Sequence, residues 1–116
     1  MTDCLSYLIP IPPSANNLYR NAGSRGRVKA LEYTRWQQVA SFAVPVPARP
    51  LDEPYEVEIA VPVNRRRDIA NCEKAIIDLL VARGVIRDDR WVDKLTIRRA
   101  LEGAPAAVTV ISLADR

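Results

Sequence analysis

Asn64–Asp93, NRRRDIANCEKAIIDLLVARGVIRDDRWVD, is the stretch on which the reading of the fold turns. Cys72, Ala75, Ile76, Leu79 and Leu80 recur at the i, i+3, i+4, i+7 and i+8 spacing of one helix face, which predicts a helix lying on a sheet. Asn71, Lys74 and Asp78 share the opposite side, where Lys74 and Asp78 make an i, i+4 ion pair worth only tenths of a kcal/mol in water. Gly84 suits the position just past the helix because glycine takes positive φ without strain. Arg83 in the last turn complements the helix dipole. The spacing predicts a helix over about 70–83.

Carboxylates stand at both ends of this unit. Taken singly, Asp68 reads as an N-terminal cap and Asp88-Asp89 as a turn after Val85-Ile86. Adjacent carboxylates repel, however, and a divalent cation between that turn and Asp68 would relieve the repulsion. Mg2+, with Mn2+ as its substitute, takes hard oxygen ligands and commonly uses one or two carboxylates together with water and a substrate phosphate. Neighbours in extended backbone point to opposite sides, so one of Asp88 and Asp89 is expected to be the direct ligand. Arg65, Arg66 and Arg67, just upstream, suit phosphate. The order predicts a metal and nucleic-acid site.

Arg65-Arg66-Arg67-Asp68-Ile69, Asn71, Lys74, Asp78, Gly84 and Asp88-Asp89 resemble, in order and spacing, the motif of the RusA family of Holliday-junction resolvases. A second stretch, Pro12-Pro13-Ser14, Asn16 or Asn17, and Tyr19-Arg20, resembles that family's N-terminal segment. The resemblance implies a bacterial or phage-encoded, Mg2+-dependent endonuclease that resolves four-way DNA junctions as a homodimer. It implies that Asp68 and Asp89 hold the metal, with Asp88 and Glu73 as further ligands or support. Lys74 would neutralise charge at the phosphate. Arg20, Arg65, Arg66 and Arg67 would position the DNA backbone, with Asn71 on the same polar side.

One position departs from the family pattern. Ala70 stands where the pattern has the second Asp of an Asp-x-Asp pair, and alanine cannot bind a metal. Three readings stay open: Glu73 supplies the missing carboxylate from the next turn, the site works with fewer acids, or the chain binds branched DNA without cutting it.

Composition bounds the rest. A chain of 116 residues with 48% apolar and 27% charged residues predicts one globular domain over 1–116. No apolar run approaches transmembrane length and the N-terminus lacks a signal-peptide layout, so a cytoplasmic protein with no membrane partner is expected. There is no histidine, and Cys4 and Cys72 have no metal-ligand spacing, which argues against zinc and histidine-based catalysis. The net charge of +3 and pI near 9.1 are too mild to demand nucleic acid. Distribution says more: Arg20, Arg25, Arg27 and Lys29 form one cationic group, Arg65–Arg67 a second, and Arg98-Arg99 a third that reads equally well as solvated surface.

Outward from the centre, Cys4–Ile11 reads as a strand with Leu5, Tyr7 and Ile9 on one face, ended by Pro10, Pro12 and Pro13. Residues 14–26 read as a loop that could carry Arg20, Arg25 and Arg27 to a DNA backbone. A second helix is predicted from Ala30 to about Val44, with Tyr33, Trp36, Ala40 and Ala43 near helical spacing and Val39 beside them. Pro45–Pro54 is a stiff connection. Tyr55–Val63 alternates as a half-buried strand delivering the chain to Arg65–Asp68. Trp91–Ala100, with Leu95 and Ile97 inward, and Ala106–Leu113 are expected to pair as an antiparallel hairpin about Gly103-Ala104-Pro105. The sum is an α/β fold: a single layer of mixed β-sheet with helices mainly on one face.

Overall fold

Tyrosine, valine and isoleucine at every second position from 55 to 61 fit a pleated strand with a buried face. In the computed structural model, which describes residues 3–14, 18–63, 65–101 and 104–114, they line its central strand. The elements are β1 (Cys4–Ile9), β2 (Tyr19–Asn21), β3 (Arg27–Lys29), α1 (Leu31–Ala43), β4 (Tyr55–Val61), α2 (Glu73–Ala82), β5 (Val92–Arg99) and β6 (Ala106–Ser112). Short 3-10 turns at Ile69–Cys72 and Asp89–Trp91 precede α2 and β5.

The main sheet has the order β1-β6-β4-β5, with β4 and β5 parallel and the other two pairs antiparallel. Parallel neighbours need a crossover, and α2 supplies it. Registers place Tyr7, Val108, Ile59 and Ile97 in one row across the sheet, and Leu5, Val110, Val57 and Leu95 in the next. Both helices contribute to the core on this face: Tyr33, Trp36 and Ala40 from α1, and Ala75, Ile76, Ile77, Leu79 and Leu80 from α2. Each such large side chain contributes roughly 1.5–3 kcal/mol by burial. The opposite face carries Ser6, Glu58 and Thr96 exposed to solvent, with Ser6 Oγ 3.1 Å from Thr109 Oγ1. Among the described residues no helix is long and apolar enough to cross a membrane.

The predicted helix divides in two. Residues 69–72 form the tighter 3-10 turn, and the α-helix proper starts at Glu73 with its apolar stripe buried as the spacing required. The expected β5–β6 hairpin does not form, because β4 lies between the two strands. The crossover from β4 lands β5 on the outer edge, while β6 gains two partners, β1 and β4, and buries Ala106, Val108 and Val110. Flanked on both sides, β4 is buried beyond its alternating face: Glu56 and Ala60 are only 8% and 6% exposed. Glu56 pairs with Lys94 at 3.5 Å. Leu95 is 38% exposed because β5 is an edge strand, and Val39 points to solvent.

The segment read as a loop over 14–26 is partly structured. β2 and β3 pair antiparallel about a 3-10 turn at Gly23–Arg25, closed by Gly23 at φ 63° and Gly26 at φ 71°. Tyr19 meets Tyr33 edge-on, with ring centroids 5.9 Å apart, which docks the hairpin on α1. Asn16 and Asn17 lie outside the described residues, as does the side chain of Arg25.

Candidate active site

Asp68 sits where the chain leaves β4 and turns into α2. Its backbone is extended (φ −75°, ψ 118°), and its carboxylate accepts a hydrogen bond from Ala70 N–H at 3.0 Å. The capping role expected of an isolated aspartate is therefore met, and the side chain remains exposed. Ala70 is exposed as well, Asn71 and Glu73 are half-buried, and Lys74 pairs with Asp78 at 3.5 Å along the exposed side of α2.

The arginine run divides its labour. Arg65 and Arg66 are exposed, whereas Arg67 is half-buried and donates through Nη2 to the carbonyl of Pro12. Arg67 thus ties the Pro12-Pro13-Ser14 segment to the turn before Asp68. The two motif stretches, far apart in sequence, meet here at a cleft of about 670 Å³ lined by Pro12, Pro13, Glu32, Trp36, Arg66 and Arg67 among others. Trp36 is fixed in that wall by its indole N–H, which donates to Pro10 O at 2.9 Å. From the β2–β3 hairpin, Arg20 is exposed, and the Arg27 guanidinium lies 5.0 Å from the centre of the Tyr19 ring.

Asp88 and Asp89 stand elsewhere. Asp88 caps the Asp89–Trp91 turn by accepting from Arg90 N–H at 3.1 Å, with the Arg90 side chain at 4.0 Å. That backbone donor, together with the hydrogen bond it shares with Asp89, holds the Asp88 carboxyl below its ordinary range. Asp89 is pushed up, first by sharing that hydrogen bond. The pair borders a depression of about 360 Å³ with Asp78, Val81 and Ala82.

The two acidic groups are held apart by the sheet. Arg87 N–H donates to Tyr55 Oη at 3.2 Å, which puts Asp88 and Asp89 at the Tyr55 end of β4. Asp68 follows the Val61 end, where Arg99 Nη2 donates to Arg67 O at 2.9 Å. The six steps from Tyr55 to Val61 span about 20 Å. Among the described residues no group of three or more acidic, cysteine or histidine side chains is placed to hold a metal ion. The carboxylates suit a hard cation such as Mg2+ in chemistry but not, within one protomer, in position.

Sequence reasoning missed the β2–β3 hairpin, whose three-residue strands are too short for a pattern. It also missed the part played by Arg99, for which no local signal exists.

The family model described as endodeoxyribonuclease RusA matches residues 10–112. The chain belongs to the RusA family. Proteins named crossover junction endodeoxyribonuclease RusA from Escherichia coli strains CFT073, 536 and UTI89 are each 33% identical to it over 97 residues, covering 75% of this chain and 75% of theirs. The RusA match begins just past β1 and takes in both motif stretches, both helices and the acids at either end of the sheet.

Proposed function

We propose that this RusA-family chain is a structure-specific endodeoxyribonuclease that resolves four-way DNA junctions as a homodimer, in the cytoplasm of a bacterial or phage-infected cell. The observation that carries the reading is the meeting of the Pro12-Pro13-Ser14 segment with Arg66 and Arg67 at one cleft beside Asp68. Two-fold symmetry suits a substrate with two equivalent strands to cut.

In this reading Arg20, Arg27, Arg65 and Arg66 take DNA phosphates, which position the duplex arms without reading sequence. Arg25 belongs to the same group by its place in the hairpin turn. Arg67, committed to the Pro12 carbonyl, is a positioning residue for the cleft. Lys74, exposed in the first turn of α2, is available to a phosphate next to Asp68, with Asn71 beside it. Asp68, Asp88, Asp89 and Glu73 are the acids that fit Mg2+, or Mn2+ in its place. A lone protomer offers that ion no complete ligand set.

A second reading is motivated by Ala70: a RusA-like protein that binds branched DNA without cutting it. The experiment that separates the two incubates the purified protein with a labelled four-way junction and with linear duplex, each with Mg2+ and with chelator. Paired, metal-dependent cuts confined to the junction support the resolvase. Tight, salt-sensitive junction binding without cuts supports the second reading, and neither cuts nor binding sinks both.

A further inference from the structure

We propose that Trp91 is a stacking platform for a base laid open at the branch point of DNA, standing beside Asp88 and Asp89 and responding to the break in the duplex whatever its sequence. The proposal rests on the nuclease reading above and adds a substrate-positioning residue to it.

Trp91 ends the Asp89–Trp91 turn and is 38% exposed, whereas the chain's other tryptophan, Trp36, is 7% exposed. Leaving so large an apolar ring in water forgoes the burial that holds the rest of the fold together. None of the three residues of the turn is buried, so the indole does not anchor it. Backbone bonds do that instead. Asp88 accepts from Arg90 N–H at 3.1 Å through its carboxylate and from Trp91 N–H at 3.3 Å through its carbonyl. The ring is thereby tied in position to the carboxylates that the nuclease reading gives to the metal.

Its surroundings decide what the ring suits. The Arg90 guanidinium lies over it, 5.4 Å from its centre, and Asp88, Asp89 and Asp93 stand within three residues along the chain. An apolar protein surface is a poor match, because the centre of a protein interface is depleted of such carboxylates. A nucleotide is a better one. Its base offers a flat π-face to the indole, and its phosphate offers an acceptor to Arg90. The positive charge of Arg90, 4.0 Å from Asp88, also offsets the repulsion between that phosphate and the acids.

Selectivity for branched DNA follows from the same chemistry. Inside a continuous duplex each base is covered on both faces by its neighbours, and only its edges are open in the grooves. At a branch point the stack is interrupted, so a face is reached at less cost than by extruding a base from the middle of a helix. Every base has a π-face, so the platform is tolerant of sequence. Arg65 and Arg66, by contrast, suit the phosphates of any duplex. A base held on Trp91 also keeps its own phosphate close to Asp88 and Asp89, so the ring positions the strand to be cut.

The test compares wild type, Trp91→Ala and Trp91→Phe in chelator, with a four-way junction and a linear duplex of the same arm sequence as probes. Indole emission and binding are followed together, and cutting is then scored with Mg2+. Junction should quench wild-type emission more strongly than duplex does, and the excess should vanish in Trp91→Phe, where Trp36 is the remaining indole. Trp91→Ala should weaken junction binding about 5- to 100-fold with duplex binding held within about twofold, and Trp91→Phe should recover most of the loss. Equal quenching by the two DNAs, an excess quench that survives in Trp91→Phe, or a Trp91→Ala chain that binds junction as wild type does overturns the platform. So does a Trp91→Ala chain that loses junction and duplex binding together, or whose sedimentation shows a changed oligomeric state. Cutting by wild type without a Trp91-dependent quench overturns the platform and leaves the nuclease reading standing. A Trp91-dependent quench by junction, with no cutting by wild type, upholds the platform and overturns the nuclease reading.

Discussion

The guanidinium of Arg99 donates to the main-chain carbonyl of Arg67 over 2.9 Å, and through its other amino group to Val63 O at 3.4 Å. One side chain at the end of β5 therefore fixes the path of the chain between β4 and Asp68. Arg99→Ala should lower the unfolding free energy by about 2 kcal/mol, since hydrogen bonds to a charged group are the stronger kind. Urea denaturation measures the loss. Arg99→Lys should recover only part of it, because an ammonium lacks the rigid fork that spans two carbonyls.

Ala70 is exposed, and an aspartate there meets no steric obstacle from burial. Ala70→Asp should change stability by no more than about 0.5 kcal/mol and should give no gain in junction cleavage, as expected of a site built around Glu73. A large gain would point instead to a decayed site and the binding-only reading.

Arg65 and Arg66 project to solvent from the turn before Asp68. Replacing both by alanine should weaken binding to junction and duplex alike and should flatten the salt dependence of log K by about one unit per lost phosphate contact. Titration of binding at several salt concentrations checks this. A loss confined to one DNA sequence would contradict it.

Tyr33 supplies a pH dependence. Burial first, then the negative charge of Asp78 and the neighbouring Tyr19, push its phenol up from 10.0 to about 12. The folded state favours the neutral phenol, so the stability this contributes is fully present below pH 10 and is lost as pH rises towards 12. Unfolding free energy measured across that window should fall, and Tyr33→Phe should make the fall shallower.

Parts of this architecture were legible in the sequence for clear physical reasons. The α2 stripe was readable because a period of 3.6 over nine residues has no other explanation. The alternation of β4 gave its existence and its inner face. Its second buried face was hidden, since nothing about Glu56 announces a partner at Lys94. Strand order was hidden too, because the turn at 103–105 suggests local pairing while the α2 crossover decides the neighbours. The acids were identified as a set, but their separation was not. The ten residues of α2 alone rise about 15 Å, and with the strand beside them they set Asp68 and Asp89 at opposite ends.

The position of β6 bears on how the chain comes to be folded at all. Among the described residues, the strand that follows all the others in sequence is the one that bonds to both β1 and β4. A growing chain complete through β5 can pair β4 with β5, yet it has nothing to join that pair to β1. Until β6 pairs, the facing edges of β1 and β4 stand unbonded on the nascent chain, a state prone to aggregate. Closure of the sheet therefore waits for β6, and any lesion that removes β6 leaves two unjoined halves in place of a shortened sheet.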